Sequence, residues 1–325
     1  MDDILNLAAT VGAEVVRTKP AITEGRTLHF DGDQVCYEMG GSDDMTVAVS
    51  RRLTRDKIMA AAEYGGCERN IVHLTAESST KGDRFVIAQF QPYQGQRLKG
   101  GRKPKNWGYL RNYLENPSGY ESWSRKIWAT READDGMHYG VRLNVKDDDV
   151  VMSGDKDMRI FTGCHHMNWK TFAMHYVPRG TFRMLHDDKW YGEFFFWTQM
   201  LMGDNADHIP GCVRYVKPNG LESALGPKTA EKILADADSR GSAFLEVRSV
   251  YKAVWGDKWA SHFAEQAALL WIRPDKDGGH GSLMEIMSMH PETAAAFTDL
   301  VDYVKEKYNE AHRLSGTSPA RKDVG

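Results

Sequence analysis

Four short clusters of aspartate and glutamate each follow an apolar stretch of this sequence. Their carboxylates are Asp31 in FDGDQ, Glu132, Asp134 and Asp135 in READDGM, Asp155 and Asp157 in VVMSGDKDM, and Asp204 and Asp207 in GDNADHIPG. Any one cluster has a simple explanation as a turn or a helix cap, because aspartate and glycine favour turns and aspartate favours caps. Four clusters in equivalent positions favour a single shared site instead.

A shared carboxylate site predicts a particular chemistry. Carboxylates crowded at one edge of a sheet repel one another and are tolerated chiefly when divalent cations neutralise them. Hard oxygen ligands select Mg²⁺ or Mn²⁺ rather than zinc. Two such ions roughly 4 Å apart orient the attacking water and stabilise the leaving oxygen in phosphodiester hydrolysis. The clusters therefore predict a hydrolytic site with two Mg²⁺ ions, for which Mn²⁺ can substitute.

The elements that must position these acids are typical of a parallel α/β sheet. Apolar runs at residues 27–30, 70–74, 85–90 and 150–152 predict buried strands, and helical stretches separate them. In such a sheet, sites form beyond the carboxyl ends of the strands, where the loops converge. If the second cluster is helical, Glu132 and Asp135 share one face of the helix.

Positive charge is concentrated in one segment, although the formal net charge of the chain is −3. Residues 97–111 contain no acid and carry Arg97, Lys99, Arg102, Lys103, Lys105 and Arg111, interleaved with Trp107 and Tyr109. A cationic segment with stacking rings suits a single nucleic-acid strand. The simpler alternative is a solvated charged loop.

A second phosphate-binding segment is predicted at LGPKTAEKIL, where a glycine turn opens directly into a helix. Gly226 permits an unusual backbone angle, and Pro227 suits the first position of a helix. The backbone amides of Lys228 and Thr229, together with the helix dipole, would hold a phosphate of the nucleic-acid backbone. An ordinary capped helix is the alternative.

Composition limits the class of protein. The chain has 325 residues, of which 41% are hydrophobic and 27% charged, as in a folded globular protein. Its four cysteines lie far apart without a CxxC pair, which argues against a zinc knuckle or a disulfide framework. No apolar run is long enough to span a bilayer, and the first residues do not resemble a signal peptide. We therefore expect a soluble cytoplasmic protein without a membrane partner.

The combined motifs resemble one known family, the phage and bacterial 5′ to 3′ exonucleases and flap endonucleases, especially the short exonucleases of podovirus-like phages. FDGD, EADD, SGDKD, GDNADHIPG and GPKTAEKIL occur in the family's order over residues 27–236. The resemblance implies a PIN-like α/β fold over residues 1–200. It also implies a helix–three-turn–helix DNA-binding region with supporting helices over 201–290, and a C-terminal helix with a disordered tail over 291–325.

What the resemblance implies for the site can be assigned residue by residue. Asp31, Glu132, Asp134, Asp135, Asp155, Asp157, Asp204 and Asp207 match the family's metal-binding acids. By analogy, the EADD acids would favour one Mg²⁺ and Asp157, Asp204 and Asp207 the other, with Asp155 between them. A K⁺ ion is compatible with the turn at Gly226. The expected substrate is DNA with a 5′ end, nick or flap, or RNA in a hybrid, in replication, primer removal or host DNA breakdown.

The sequence also departs from the family pattern. Gln94 in PYQGQRLK stands where the family has a catalytic lysine, whereas Arg97 matches the following arginine and Lys99 could reach the same phosphate. Arg84 in KGDRF matches a basic residue that faces the 5′ region. Glu77 is the nearest acid after the second strand. Residues 212–224 form an insertion relative to the family's compact glycine-rich hairpin.

Two other classes of protein remain as alternatives. A phosphatase of the haloacid-dehalogenase type fits FDGDQV, with Asp31 as nucleophile and Asp33 as acid, but leaves EADD and LGPKTAEKIL unexplained. A DNA-binding relative without turnover would account for Gln94, but not for the complete set of carboxylates.

Overall fold

The computed structural model describes residues 19–96, 100, 103–116, 121–212, 215–216, 222–223 and 225–315. Three residues of the predicted basic segment, Arg97, Lys99 and Arg102, lie outside the described residues. The predicted disordered tail after residue 315 and most of the 212–224 insertion lie outside them as well.

A central sheet of parallel strands organises the protein. Its strands are β1 (Thr23–Asp31), β2 (Cys67–Thr75), β3 (Ser124–Trp128), β4 (Val150–Met152), β5 (Cys164–Met167) and β6 (Met174–Val177). They lie in the order β3-β2-β1-β4-β5-β6, parallel except for the antiparallel edge strand β6. Two small antiparallel pairs are separate, β7 (Met184–His186) with β8 (Lys189–Tyr191) and β9 (Tyr215–Val216) with β10 (Glu222–Ser223). The predicted parallel α/β fold is confirmed.

Helices cover the sheet and form the C-terminal part of the chain. They are α1 (Gly32–Glu38), α2 (Val47–Gly65), α3 (Arg84–Ile87), α4 (Trp107–Glu115), α5 (Ala133–Leu143), α6 (Glu193–Met202), α7 (Pro227–Ile233), α8 (Arg240–Trp255), α9 (Trp259–Leu270), α10 (Gly281–Met287) and α11 (Pro291–Ser315). In the described part of the chain, no helix has both the length and the apolar character needed to cross a membrane.

Two hydrophobic cores lie on the two faces of the sheet. The short strand β4 shows this division, because successive side chains of a strand point to opposite faces. Val150 and Met152 pack in a core with residues of α1, α2 and α4. Val151 packs in the other core, with residues of α5, α6, α8, α9 and α11. Burial on both faces explains why the strand is apolar throughout.

Helix α5 approaches the sheet closely because it presents two glycines to it. A Cβ atom at Gly136 would overlap the indole ring of Trp128 on β3. A Cβ atom at Gly140, one helical turn later, would overlap the imidazole ring of His29 on β1. These glycines therefore set the distance between α5 and the strands, and α5 carries the second acidic cluster at its start.

Beneath α5, a chain of buried hydrogen bonds crosses the sheet. Trp128 Nε1 donates to His73 Nδ1 over 3.1 Å, and His73 Nε2 lies 3.0 Å from His29 Nδ1. His29 Nε2 lies 3.2 Å from a carboxylate oxygen of Asp149. Because the indole nitrogen can only donate, each histidine must carry its proton on Nε2. Burial lowers the pKa of His73 well below its usual range, so that ring is neutral.

Three of the four predicted strands are present in the structure. The runs at 27–30, 70–74 and 150–152 lie in β1, β2 and β4. The strand predicted at 85–90 is wrong, because this segment begins with the short helix α3. Arg84 and Ile87 are buried and Phe85 is exposed, which is the three-residue spacing of a helix. The apolar pattern does not predict β3, because two basic residues interrupt the segment SRKIW that forms this strand.

Replacing Gly136 with alanine should lower the free energy of unfolding by ~1–3 kcal/mol, because the added methyl group must displace the Trp128 ring or α5 itself. Urea denaturation measures the change. Gly108 in α4 provides a matched control, since a Cβ atom there meets nothing within 4 Å. Gly108→Ala should leave stability unchanged or raise it by up to ~1 kcal/mol. Equal effects of the two substitutions would contradict this account of how α5 packs.

Candidate active site

The carboxyl ends of β1, β2, β3 and β4 open into one cleft of ≈ 790 Å³. Acidic side chains dominate its lining, namely Asp31, Asp33, Glu77, Glu115, Glu132, Asp134, Asp155, Asp157, Asp204 and Asp207. The fold thus brings all of the predicted metal-binding acids except Asp135 to the wall of a single cleft. Among the described residues, three cationic side chains share that wall, Lys81, Lys103 and Arg111.

Asp31 lies at the junction of strand and helix. It ends β1 and caps α1, where one of its carboxylate oxygens accepts a hydrogen bond of 2.9 Å from the amide of Gln34. Its other oxygen accepts a bond of 2.7 Å from the hydroxyl of Ser153, which follows β4. These two contacts fix the carboxylate at the centre of the sheet edge, between neighbouring strands.

The second acidic cluster begins α5. Glu132 is the N-cap residue, with an extended backbone just before α5, and forms a reciprocal capping box with Asp135. Glu132 and Asp134 line the cleft. Asp135 points the other way and its side chain is fully buried. The fold therefore separates the last carboxylate of EADD from the first two acids.

Arg84 holds Asp135 in this buried position. The guanidinium donates two hydrogen bonds to the carboxylate, of 2.8 and 2.9 Å, and a third of 3.2 Å to Glu132. It also donates to the carbonyl oxygens of Leu269 and Trp271. Arg84 is only 1% exposed, so its guanidinium faces these partners and not the cleft. Its position is that of a residue that orients the start of α5.

The pKa of Asp135 reflects this pairing. Burial alone would raise the pKa of its carboxyl group, but the charge and the hydrogen bonds of Arg84 outweigh burial and hold the pKa at about 2. The backbone amide of Arg273 adds a further hydrogen bond of 2.8 Å to the same carboxylate. Asp135 is therefore charged, and its charge is compensated within the protein.

Asp157, Asp204 and Asp207 form a second group of carboxylates. One oxygen from each lies within 4.8 Å of the others, which is close enough to hold one metal ion. Asp157 lies in the 3₁₀ helix Lys156–Ile160 that follows β4. The other two lie in a loop after α6 that an antiparallel bridge between Asp204 and Ile209 closes. In the described part of the chain, no other group of histidine, cysteine or acidic residues meets the same distance criterion.

Tyr93 connects the two groups of carboxylates. Its hydroxyl oxygen lies 2.7 Å from Glu132 Oε2 and 3.0 Å from Asp207 Oδ2. Gln94 is next to it and donates a hydrogen bond of 3.0 Å from its amide nitrogen to Asp207 Oδ1. Gln94 thus occupies a position beside the acids, where its neutral side chain orients one of them.

Two lysines supply positive charge directly to the acids. Lys81 Nζ lies 2.8 Å from Gln94 Oε1 and 3.5 Å from Glu132 Oε1. Lys156 Nζ lies 2.6 Å from Asp204 Oδ2 and 3.2 Å from Asp157 Oδ1. One ammonium group therefore accompanies each group of carboxylates.

Negative charge in the cleft nevertheless exceeds this compensation. Burial, with a contribution from Asp33, raises the pKa of Asp31 to about 7. Burial and the nearby Asp155 raise the pKa of Asp157 to about 8. Carboxyl groups with such values retain protons near neutral pH unless further positive charge is supplied. A set of ligands consisting only of carboxylate oxygens, with an excess of negative charge, fits Mg²⁺ or Mn²⁺.

The described cations of the basic segment lie in three different environments. Lys103 lines the cleft, with its Nζ 3.5 Å from the centre of the Trp107 ring. Lys105 donates a hydrogen bond to the carbonyl oxygen of Asp43. Arg111 is buried and forms ion pairs with Asp33 and Glu115. Lys103 and Arg111 both line the cleft, and of these two only Lys103 is exposed.

The glycine turn before α7 differs in detail from the expectation. Gly226 caps the helix with φ −87 and ψ 170, an extended conformation that any residue adopts, so the predicted unusual angle is wrong. Pro227 occupies the start of α7, as predicted. The amide of Thr229 donates to the carbonyl oxygen of Gly226 over 3.0 Å and is thus already paired. Lys228 is exposed.

The sequence does not indicate the contacts that several residues make in and beside the cleft. Lys81, Tyr93 and Lys156 lie within or beside the recognised motifs, but nothing in their spacing indicates contact with a carboxylate. Arg111 was interpreted as part of a basic segment, and only the fold reveals its pairing with Asp33. Contacts between residues that are distant in sequence, such as those of Arg84 with the 269–273 segment, are equally invisible to a local pattern.

The fold of this chain is similar to that of solved structures of a bacteriophage 5′-exonuclease and flap endonuclease. A structure of the bacteriophage T5 flap endonuclease, a pseudo-enzyme-product complex with DNA and metal ions, is similar to this chain with a TM-score of 0.55 and 16% identity, covering 86% of this chain and 100% of that one. Another, of T5 5′-exonuclease with bound zinc, matches with a TM-score of 0.54, 16% identity and the same coverage. No family model and no curated protein sequence matches the chain.

Replacing Arg84 with methionine should lower the free energy of unfolding by ~3–5 kcal/mol, because the buried carboxylate of Asp135 loses its partner. Urea denaturation measures this loss. Arg52 on α2 is exposed and gives the control, for which we expect Arg52→Met to change stability by less than ~0.5 kcal/mol.

The double variant Arg84→Met/Asp135→Leu separates the ion pair from packing. Removing both charges leaves neither group buried without a partner. The double variant should therefore lose less free energy of unfolding than the sum of the losses in Arg84→Met and Asp135→Leu. Strict additivity would show that the pair does not hold α5 in the manner described.

Proposed function

We propose that the protein is a metal-dependent 5′ nuclease that hydrolyses phosphodiester bonds of DNA. The observation that carries this proposal is the placement of two groups of carboxylates, joined by Tyr93, at the carboxyl edge of a sheet whose fold is shared with a T5 flap endonuclease. The cationic and aromatic side chains at the wall of the cleft agree with this chemistry.

The chain's own residues suggest how two ions would be held. Asp157, Asp204 and Asp207 would hold one ion, and Glu132 and Asp134 the other, with Asp31 and Asp155 between the two groups. Bound Mg²⁺ would supply a water of lowered pKa and neutralise the leaving oxygen. Asp135 and Arg84 would act as positioning residues, because both are buried behind the cleft.

Residues at the wall of the cleft would handle the nucleic acid. Lys81 is partly exposed and its ammonium lies between Gln94 and Glu132, which places it to meet a phosphate next to the acids. Lys103 would contact a second phosphate. Tyr37 is 53% exposed and packs against Trp107, so these rings offer a stacking surface at the same wall. Such contacts are to phosphates and ring faces, and base sequence should therefore matter little.

The proposal also covers the substrates, the products and the biological role. Substrates would be DNA with a 5′ end, nick or flap, or RNA in a hybrid with DNA, and products would carry a 5′ phosphate and a 3′ hydroxyl. Removal of 5′ ends during DNA replication in the cytoplasm is a fitting role. Arg97, Lys99 and Arg102 remain candidates for phosphate contacts, as do the Gly226, Lys228 and Thr229 turn and its K⁺ ion.

Digestion of a 5′-labelled duplex tests the proposal. With Mg²⁺, the protein should release nucleotides or short oligomers from the labelled end, and EDTA should stop the release. Asp155→Asn and Asp204→Asn should lower the rate by about 100-fold or more, since loss of a metal ligand exceeds the effect of a supporting residue. Asp299→Asn, which alters an exposed carboxylate on α11, should cleave at the original rate.

A phosphomonoester in a parallel reaction separates the alternatives. Release of phosphate from the monoester without cleavage of DNA would replace the nuclease by a phosphatase that uses Asp31 and Asp33. Tight binding of DNA with no cleavage by the wild type would identify a relative without turnover.

A further inference from the structure

Lys156 has an unusual position for a residue between two predicted metal ligands. Its backbone follows Asp155 and begins the 3₁₀ helix that carries Asp157. Its side chain turns back, so that Nζ lies 2.6 Å from Asp204 Oδ2 and 3.2 Å from Asp157 Oδ1. The ammonium therefore joins two of the three carboxylates that could hold one metal ion.

Neutral donors also contact these three carboxylates. Asp157 Oδ1 accepts a hydrogen bond of 2.7 Å from Gln199 Nε2, and Asp207 accepts bonds from Tyr93 and Gln94. These three donors are neutral. Lys156 adds a positive charge to these neutral contacts, through Asp157 and Asp204.

We infer that the Lys156 ammonium takes the place of a divalent cation in the metal-free protein and competes with that cation for Asp157 and Asp204. This inference rests on the proposed metal-dependent function. A carboxylate oxygen that accepts a hydrogen bond from the ammonium would have to bind the metal ion instead. The typical distance from an oxygen ligand to Mg²⁺ is shorter, about 2.0–2.1 Å. Binding of the ion therefore requires the lysine side chain to leave.

The lysine can leave at little cost in packing. Its side chain is 35% exposed, compared with 2% for Asp204, and its flexible four-carbon stem can reach solvent. The acids, in contrast, are held by the backbone of the 3₁₀ helix and by the bridged loop at Asp204. A mobile cation over fixed anions would offset the repulsion between the acids before metal binds and would set the metal affinity of the site.

The competition can be measured without DNA and without catalysis. Free Mn²⁺ is titrated into EDTA-treated and dialysed protein and followed by electron paramagnetic resonance. Lys156→Met retains the length of the stem and removes the charge, and it should bind Mn²⁺ about tenfold more tightly, because a charge-assisted contact no longer has to be broken. Lys156→Arg retains a cation and should bind Mn²⁺ nearly as the wild type does.

A matched control separates direct competition from the general field of the cleft. Lys103→Met removes one positive charge from the same wall, over the Trp107 ring. It should tighten Mn²⁺ binding by less than about twofold, because the charge of Lys103 would act on the ion only at longer range and through screening by solvent and salt. A similar gain in both methionine variants would overturn the competition.

Thermal unfolding provides the second measurement. The metal-free Lys156→Met protein should melt at a lower temperature than the wild type, because carboxylates lose a counter-charge, and Mn²⁺ should raise its melting temperature by a larger increment. Lys156→Gln repeats both measurements if the methionine variant does not fold. Weaker or unchanged Mn²⁺ binding in the neutral variants would overturn the inference.

The outcomes also distinguish this inference from the proposed function. If the wild type binds Mn²⁺ and cleaves DNA while Lys156→Met binds Mn²⁺ no more tightly, only the competition is overturned. If neither protein binds Mn²⁺, and Asp204→Asn has no effect on any measurement, the proposed metal-dependent function is overturned together with it.

Discussion

The buried ion pair between Arg84 and Asp135 joins three parts of the chain that are far apart in sequence. Asp135 belongs to the first turn of α5, Arg84 begins α3, and the guanidinium also donates to two carbonyl oxygens at the end of α9. A buried charge without its partner is strongly unfavourable, so each of the three parts requires the other two. The position of the acids in the cleft depends on this arrangement, because Glu132 and Asp134 are rigidly connected to Asp135 through the start of α5.

The acidic cleft reflects a compromise between function and stability. Carboxylates placed at one sheet edge repel one another, and the protein limits that repulsion with Arg111, Lys81 and Lys156 while leaving part of it uncompensated. Raised pKa values at Asp31 and Asp157 are the physical sign of what remains. The arrangement stores unfavourable energy that a divalent cation would relieve, and this is why affinity for a metal ion and stability of the metal-free fold should be linked.

Local patterns in the sequence predicted the positions of β1, β2 and β4 and of the acids at their ends, because alternation and turn residues act over a few residues. They failed at residues 85–90, where an aromatic and aliphatic run begins with the short helix α3 and the buried Arg84. They also gave Asp135 and Arg84 direct roles in the cleft, whereas the fold places both behind it. The pairings of Lys81, Tyr93, Lys156 and Arg111 could not be predicted, because each depends on which distant loops meet at the sheet edge.

The hydrogen-bonded chain from Trp128 through His73 and His29 to Asp149 has a consequence for how the strands align. If β1 slipped by one residue against β2, His29 would move to the opposite face of the sheet and would lose its bonds to both His73 and Asp149 at once. Apolar neighbours such as Leu28 and Phe30 would find other apolar contacts after such a slip, since these contacts have no direction. The polar chain therefore discriminates against misaligned pairing during folding, in a parallel sheet whose apolar strands would otherwise tolerate several registers.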